Sequence, residues 1–287
     1  MKFKNIAKII YDRQDGAIFG GYLFSFDHIG KCAIFKTDAL FNGNGEKVEF
    51  VSEINLDKSD VIKPHCNAVV FGSKYYSEGD EFPLLYCNVY NNYAKAEDTK
   101  KGMCVVYRVQ HSGDSFSVTP VQLIQIGFTE NKEYWCSENG DVRPYGNFVI
   151  DRKNNVLYAF TMRDGFNTTR YFSFDLPDVA EGEICSECGI RKVVLNESDI
   201  KEYFDCDYHH FVQGACWHDG KIYSLEGFDS DEVNPAALRI IDTETKKEVA
   251  YIRFEDYGLQ TEPEMIDFEN GRCFYADNFG NCYEIKF

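Results

Sequence analysis

The chain has 287 residues, 44% of them hydrophobic and 16% aromatic, and carries a formal net charge of −17. Such a composition supports a large core and excludes a disordered chain, while a field of that sign repels phosphate backbones and anionic lipid. No apolar run approaches the roughly 18 residues of a membrane-spanning helix, so neither nucleic acid nor membrane is an expected partner.

There are eleven cysteines. Most of them, including Cys32, Cys87, Cys104, Cys216, Cys273 and Cys282, lie in apolar strand-like runs, where a free thiol acts as a small hydrophobe. That usage, with no apolar signal region after Met1, suits a cytoplasmic protein, or one exported with its signal removed.

Helical periodicity is nearly absent. Short alternating or continuous apolar runs, punctuated by Gly, Asn and Asp, predict strands and turns. The first run covers residues 3–11, and an irregular unit follows at 15–19, 22–26, 33–36 and 48–56. A longer unit begins at 67–71, returns at 82–90, and continues at 103–109 and 121–126. A third begins at 147–160 with Asn154-Asn155 at its turn. The fourth is the clearest: 213–228 turning at Asp219-Gly220, then 237–242 and 247–254. The fifth covers 264–276, turns at Asn270-Gly271, and adds only 282–287. Asp-Gly and Asn-Gly supply the positive φ that a tight hairpin needs.

Five starts of a four-strand unit, the last short by one strand, predict an all-β, five-bladed β-propeller in a single domain. Residues 3–11 supply the missing outer strand, and this pairing closes the ring and removes its exposed edge. The blades are expected at about 14–56, 65–128, 145–195, 210–255, and 262–287 with 3–11.

In such a ring the innermost strands line a channel, and their first residues meet at one mouth. The starts read Gln14-Asp15, His65-Cys66-Asn67, Tyr145-Gly146-Asn147, His210 to Gln213, and Glu262-Pro263-Glu264. Imidazole and carboxylate in one restricted cleft suit acid and base work, which makes Glu264, Glu262, His65 and Asp15 the candidate catalytic residues. Asn67, Arg143, Tyr145, Asn147, His210, Gln213 and Trp135 are the candidate ligand-binding residues. Aromatic residues at Tyr75-Tyr76, Tyr134-Trp135 and Tyr208 are expected to feed the same mouth and to suit a sugar ring.

The strings from Gln213 to Tyr223 and from Glu262 to Phe268 resemble blade starts of uncharacterised bacterial five-bladed propellers, and more loosely those of plant-type glutaminyl cyclotransferases. Of the cyclotransferase pattern, Gln213-Gly214 and the acidic pair Glu262 and Glu264 are matched, and the other starts depart from it. The resemblance implies the fold first and an activity second. Five-bladed propellers also include furanose-cleaving glycosidases. By that analogy, Asp15 with Glu262 or Glu264 is a candidate carboxylate pair for glycoside cleavage.

The expected function is therefore binding or hydrolysis of a small polar ligand, a carbohydrate first, by a monomer needing no cofactor. The alternative is a non-enzymatic interaction scaffold that uses the rim, including the insertions at 75–80 and 94–101. Cys185 and Cys188 have zinc-knuckle spacing, and Cys206 with His209 or His210 would complete four ligands. A redox pair and a plain surface loop are the other readings of that motif, and no metal is expected.

Overall fold

The computed structural model describes residues 1–10, 13–89, 102–113, 115–128, 147–163, 166–229 and 232–287. Its strands form five sheets, each built on an antiparallel four-strand unit, the blades of a propeller. Blade 1 contains β2 (Gly16–Phe19), β3 (Tyr22–Phe26), β4 (Lys31–Lys36) and β5 (Ser52–Asn55). Blade 2 contains β6 (Val69–Phe71), β7 (Leu85–Val89), β8 (Met103–Ser112) and β9 (Ser115–Ile126). Blade 3 begins with β10 (Asn147–Asp151), β11 (Val156–Arg163) and β12 (Thr168–Asp175).

The chain then leaves blade 3. It adds β13 (Glu183–Ile184) and β14 (Arg191–Leu195) to the outer edge of β9, with β14 parallel to β9, and returns to finish blade 3 with β15 (Glu202–Asp207). The expected end of the third blade at residue 195 is thereby replaced by 207. A short run such as 191–195, with Val193, Val194 and Leu195 together, suits a strand but does not specify the neighbour that it pairs with.

Blade 4 contains β16 (Val212–His218), β17 (Lys221–Glu226), β18 (Ala237–Asp242) and β19 (Lys247–Arg253). Blade 5 contains β20 (Pro263–Glu269), β21 (Arg272–Asp277), β22 (Asn281–Lys286) and, as its outer strand, β1 (Lys2–Lys8). β1 pairs antiparallel with β22 from Lys2↔Lys286 to Lys8↔Asn281, as the missing fifth-blade strand requires.

The first strands of the blades pack on one another in a closed circuit, β2 on β6, β6 on β10, β10 on β16, β16 on β20 and β20 on β2. Their far ends turn at the predicted dipeptides: Asp219-Gly220 has φ of +45° and +77°, and Asn270-Gly271 has +49° and +77°. This is the left-handed pair that a two-residue hairpin demands.

The core lies between blades. Phe24 of β3 meets Phe71 of β6 and Phe82 edge-to-face, with centroids 5.3 and 5.5 Å apart, and all three rings are fully buried. Each such pair adds about 1 kcal/mol to the area that it removes from water. Polar staples also cross the circuit: the Ile18 N–H of blade 1 donates to Asp267 Oδ2 of blade 5 at 2.6 Å. Arg152 Nε donates to the Phe71 carbonyl at 2.9 Å, joining blades 3 and 2.

Candidate functional site

The strand starts converge at one mouth, as the repeat predicts, and they divide into two groups. Asp15 is fully buried between blades, where its Oδ2 accepts the Val69 N–H at 2.9 Å and the Ala215 N–H at 3.3 Å. Burial drives its carboxyl well above the usual range, against the pull of the Val69, Gly16 and Ala215 N–H groups. Asn67 and Asn147 are clasped by Asn88, whose Nδ2 donates to Asn67 Oδ1 and, at 3.1 Å, to Asn147 Oδ1. Asn67 Nδ2 in turn donates to the Val212 carbonyl at 3.2 Å, so the clasp ties blades 2, 3 and 4.

The second group faces a cavity of about 520 Å³, lined by His65, Gln213, Glu262 and Glu264 with Arg13, Gln14, Asn278, Phe228 and Phe279. The pairing of β16 with β17 shifts register between Val212 and Gly214, and that of β20 with β21 shifts between Pro263 and Met265. Gln213 and Glu264 are the extra residues of these two bulges. A bulge turns the side chain of its extra residue out of the ladder, here into the cavity. Gly214 permits the arrangement: a Cβ there would stand 2.2 Å from the Glu264 carbonyl oxygen.

Gln213 Nε2 donates to Glu262 Oε1 and, at 3.3 Å, to the Gly227 carbonyl. Asn278 Nδ2 reaches Glu262 Oε2 at 3.5 Å. Burial raises the Glu262 carboxyl, Asp229 raises it further, and Asn278 partly offsets both. Burial, reinforced by the His28 imidazole with its centroid 6.5 Å away, lowers His65 to about 4, so His65 is neutral at pH 7. The charge of Arg13 is engaged beneath the cavity: Nη2 donates to the Ser25 carbonyl at 2.7 Å, and Nη1 stands 3.7 Å from Asp27 Oδ2.

His210 lies beside this cavity without lining it, its Nδ1 3.3 Å from Asn234 Oδ1 and its ring edge-on to Tyr208. Arg143, Tyr145 and Trp135 lie outside the described residues, as do Tyr134 and the insertion at 94–101. Tyr75 and Tyr76 are at the opposite end of the channel from the mouth. They follow β6, which starts at the mouth, and neighbouring Ser73 bonds Asn155 in the far-end turn of blade 3.

Phe228 and Phe279 take the place expected of those tyrosines. Each stands two residues beyond the second strand of its blade, where the chain has returned to the mouth: Glu226-Gly227-Phe228 and Asp277-Asn278-Phe279. The shared position of the two triplets in the repeat is the sequence signal that marks them. The turn after Asp277 is set by its carboxylate, whose Oδ1 accepts the Phe279 and Asn281 N–H groups at 3.0 and 2.9 Å. Asp27 does the same for Ile29 and Lys31 in blade 1.

The proposed zinc ligands do not assemble. Cys185 and Cys188 belong to the hairpin added to blade 2, whereas Cys206 is on β15, and His209 is buried with its N–H on Thr169 Oγ1 at 2.9 Å. Among the described residues, no group of three or more His, Cys, Asp or Glu side chains is placed to hold a metal ion.

No family model matches the sequence, and no curated protein matches it. Among solved structures, the chain is similar to a Myxococcus xanthus glutaminyl cyclase, at 12% identity and a TM-score of 0.47, over 99% of this chain and 98% of that one. It is also similar to the computationally designed Ika8 protein, at 8% identity and a TM-score of 0.38, over 99% and 100% of the two chains. Citrobacter koseri AztD is a further match at 12% identity and a TM-score of 0.32, covering 88% of this chain and 48% of that one.

Proposed function

We propose that the protein binds a small polar molecule rich in hydrogen-bond donors at the mouth of its channel, with a neutral carbohydrate as the first candidate. The observation that carries this reading is the character of the wall made by Gln213, Glu262 and Glu264. The two carboxylates only accept hydrogen bonds when ionised, and the Gln213 amide N–H groups are engaged by Glu262 and Gly227, so this wall keeps acceptors in excess of donors. A ligand must therefore bring hydroxyl or ammonium donors. Phe279, 56% exposed at the cavity edge, offers an apolar face of the kind on which a sugar ring stacks.

Binding is favoured over turnover. An imidazole lowered to about 4 is a weak base at neutral pH, and Asp15, the partner considered for glycoside cleavage, is sequestered among backbone N–H groups.

The test is calorimetric titration with a panel of neutral mono- and oligosaccharides and a panel of small ammonium compounds. Glu264→Gln should weaken the best ligand by at least roughly tenfold with an unchanged melting temperature, since it removes a charge-assisted acceptor while keeping its shape. His65→Ala provides a second variant. Wild-type affinity in Glu264→Gln, or no binding from either panel, overturns the proposal; binding confined to ammonium compounds overturns its carbohydrate form.

A further inference from the structure

Away from the mouth, blade 2 breaks the four-strand pattern by carrying the β13–β14 hairpin. The tip of that hairpin reads Cys185-Ser186-Glu187-Cys188-Gly189. The turn is closed by the Gly189 N–H donating to the Cys185 carbonyl and by the Cys185 N–H donating to the Ile190 carbonyl, both at 2.8 Å. This winding sets Cys185 and Cys188 on one tight turn, and both residues line the same groove.

The two sulfurs differ in access and environment. Cys185 is partly exposed, whereas Cys188 is buried. Burial raises the Cys185 thiol, but the Glu187 and Cys188 backbone N–H groups, the Cys188 thiol and Lys192 outweigh it and hold Cys185 below its ordinary range. Burial and the neighbouring sulfur hold Cys188 above it. Every other cysteine described is buried, and burial pushes the thiols of Cys32, Cys104, Cys216 and Cys282 up. Such thiols are inert, while an accessible thiol held below its ordinary range beside a second thiol is the more reactive one.

Both sulfurs line an open groove of about 690 Å³ that also includes Ile62, Met103 and Leu123. Glu181, Glu183 and Glu187 lie exposed along the same groove.

We propose that Cys185 and Cys188 form a thiol–disulfide exchange site, with Cys185 as the attacking sulfur, Cys188 as the resolving sulfur, and the groove as the seat of a neutral or cationic disulfide. The Cys185 thiolate attacks one sulfur of the bound disulfide, forming a mixed disulfide and expelling one thiolate, which takes up a proton from solvent. Cys188 then loses its proton, its sulfur attacks Cys185 Sγ, and the second thiolate leaves and is protonated. Two electrons pass from the protein dithiol to the disulfide, giving one protein disulfide and two small thiols. The acidic margin disfavours anionic disulfides.

The experiment treats the reduced full chain with cystamine or with glutathione disulfide and maps the products by peptide mass. Wild-type protein should gain a Cys185–Cys188 disulfide, faster with cystamine. Cys188→Ser should stop at a cysteamine adduct on Cys185, and Cys185→Ser should give no adduct at Cys188. In untreated protein at pH 7, Cys185 should be alkylated roughly tenfold faster than the buried cysteines. Cys185 is partly exposed on a peripheral hairpin, so Cys185→Ser should retain the wild-type melting temperature, and the adduct of Cys188→Ser is mapped on protein whose unfolding transition stays cooperative. Absence of the Cys185 adduct in Cys188→Ser, or alkylation of Cys185 no faster than of the buried cysteines, overturns the proposal. So does stoichiometric zinc uptake by the pair that blocks alkylation.

Discussion

Blades 1 to 3 and blades 4 and 5 carry similar polar residues at the same point of the repeat, yet they use them differently. Asp15, Asn67 and Asn147 turn toward neighbouring blades, where backbone N–H groups, the Val212 carbonyl and Asn88 engage them. Gln213 and Glu264 occupy bulges and turn into the cavity. The role is therefore set less by residue type than by one extra residue in the ladder, which decides whether a side chain joins the ring together or faces a ligand.

The strongest way to break this contrast is at the contact that allows the bulges to lie side by side. Gly214→Ala places a methyl group 2.2 Å from a backbone oxygen that cannot swing away, so it should cost about 3 kcal/mol or more, read by denaturant unfolding. A neutral result would mean that the two bulges do not touch. Next comes Asp15→Ala, which leaves the buried Val69 and Ala215 N–H groups without their acceptor and should cost about 2 kcal/mol.

A pH-dependent effect, absent at neutral pH, separates His65 from the ring. Its imidazole is neutral in both folded and unfolded chains above about pH 6.5. As the pH falls from there toward about 4, the unfolded chain takes up a proton that the folded chain resists, so stability is lost across that window. Glu262, raised by burial, acts in the opposite direction as the pH climbs past its unfolded value, and for that reason the comparison must be with a variant. His65→Asn should flatten the wild-type slope between pH 6.5 and 4 in urea titrations, and parallel curves would refute the assignment. Glu264→Gln closes the series: it keeps the shape of the side chain, so its stability change should be the smallest of the four, against a large loss of binding.

Much of the fold was legible because a propeller writes its period into the chain. The Asp-Gly and Asn-Gly turns locate each inner hairpin, and a fifth unit lacking one strand asks for a partner that residues 2–8 provide. What was not legible depends on relations that a period does not encode. The run at 191–195 reads as a strand, but nothing within it says that it pairs parallel to β9. Gln213 and Asn67 look alike in sequence, since a bulge is a mismatch between two strands and not a property of either one. Tyr75 and Tyr76 lie at the far end because a strand that begins at the mouth delivers its following loop to the far side. The same count of reversals leads to Phe228 and Phe279.

Closure by β1 also has a consequence in time. That strand leaves the ribosome before the other four blades exist, and its partner β22 is made after them. Until then β1 is an edge without a neighbour, and the circuit of first strands has a gap between blades 5 and 1. Bringing distant segments together costs little at equilibrium, because each doubling of loop length adds only about 0.6 kcal/mol. The burden falls on the rate, since such contacts reward the chain only once most of it is ordered. The pairing from Lys2↔Lys286 to Lys8↔Asn281 thus works as a clasp fastened last, and a chain caught before that moment offers its open strand to any neighbour.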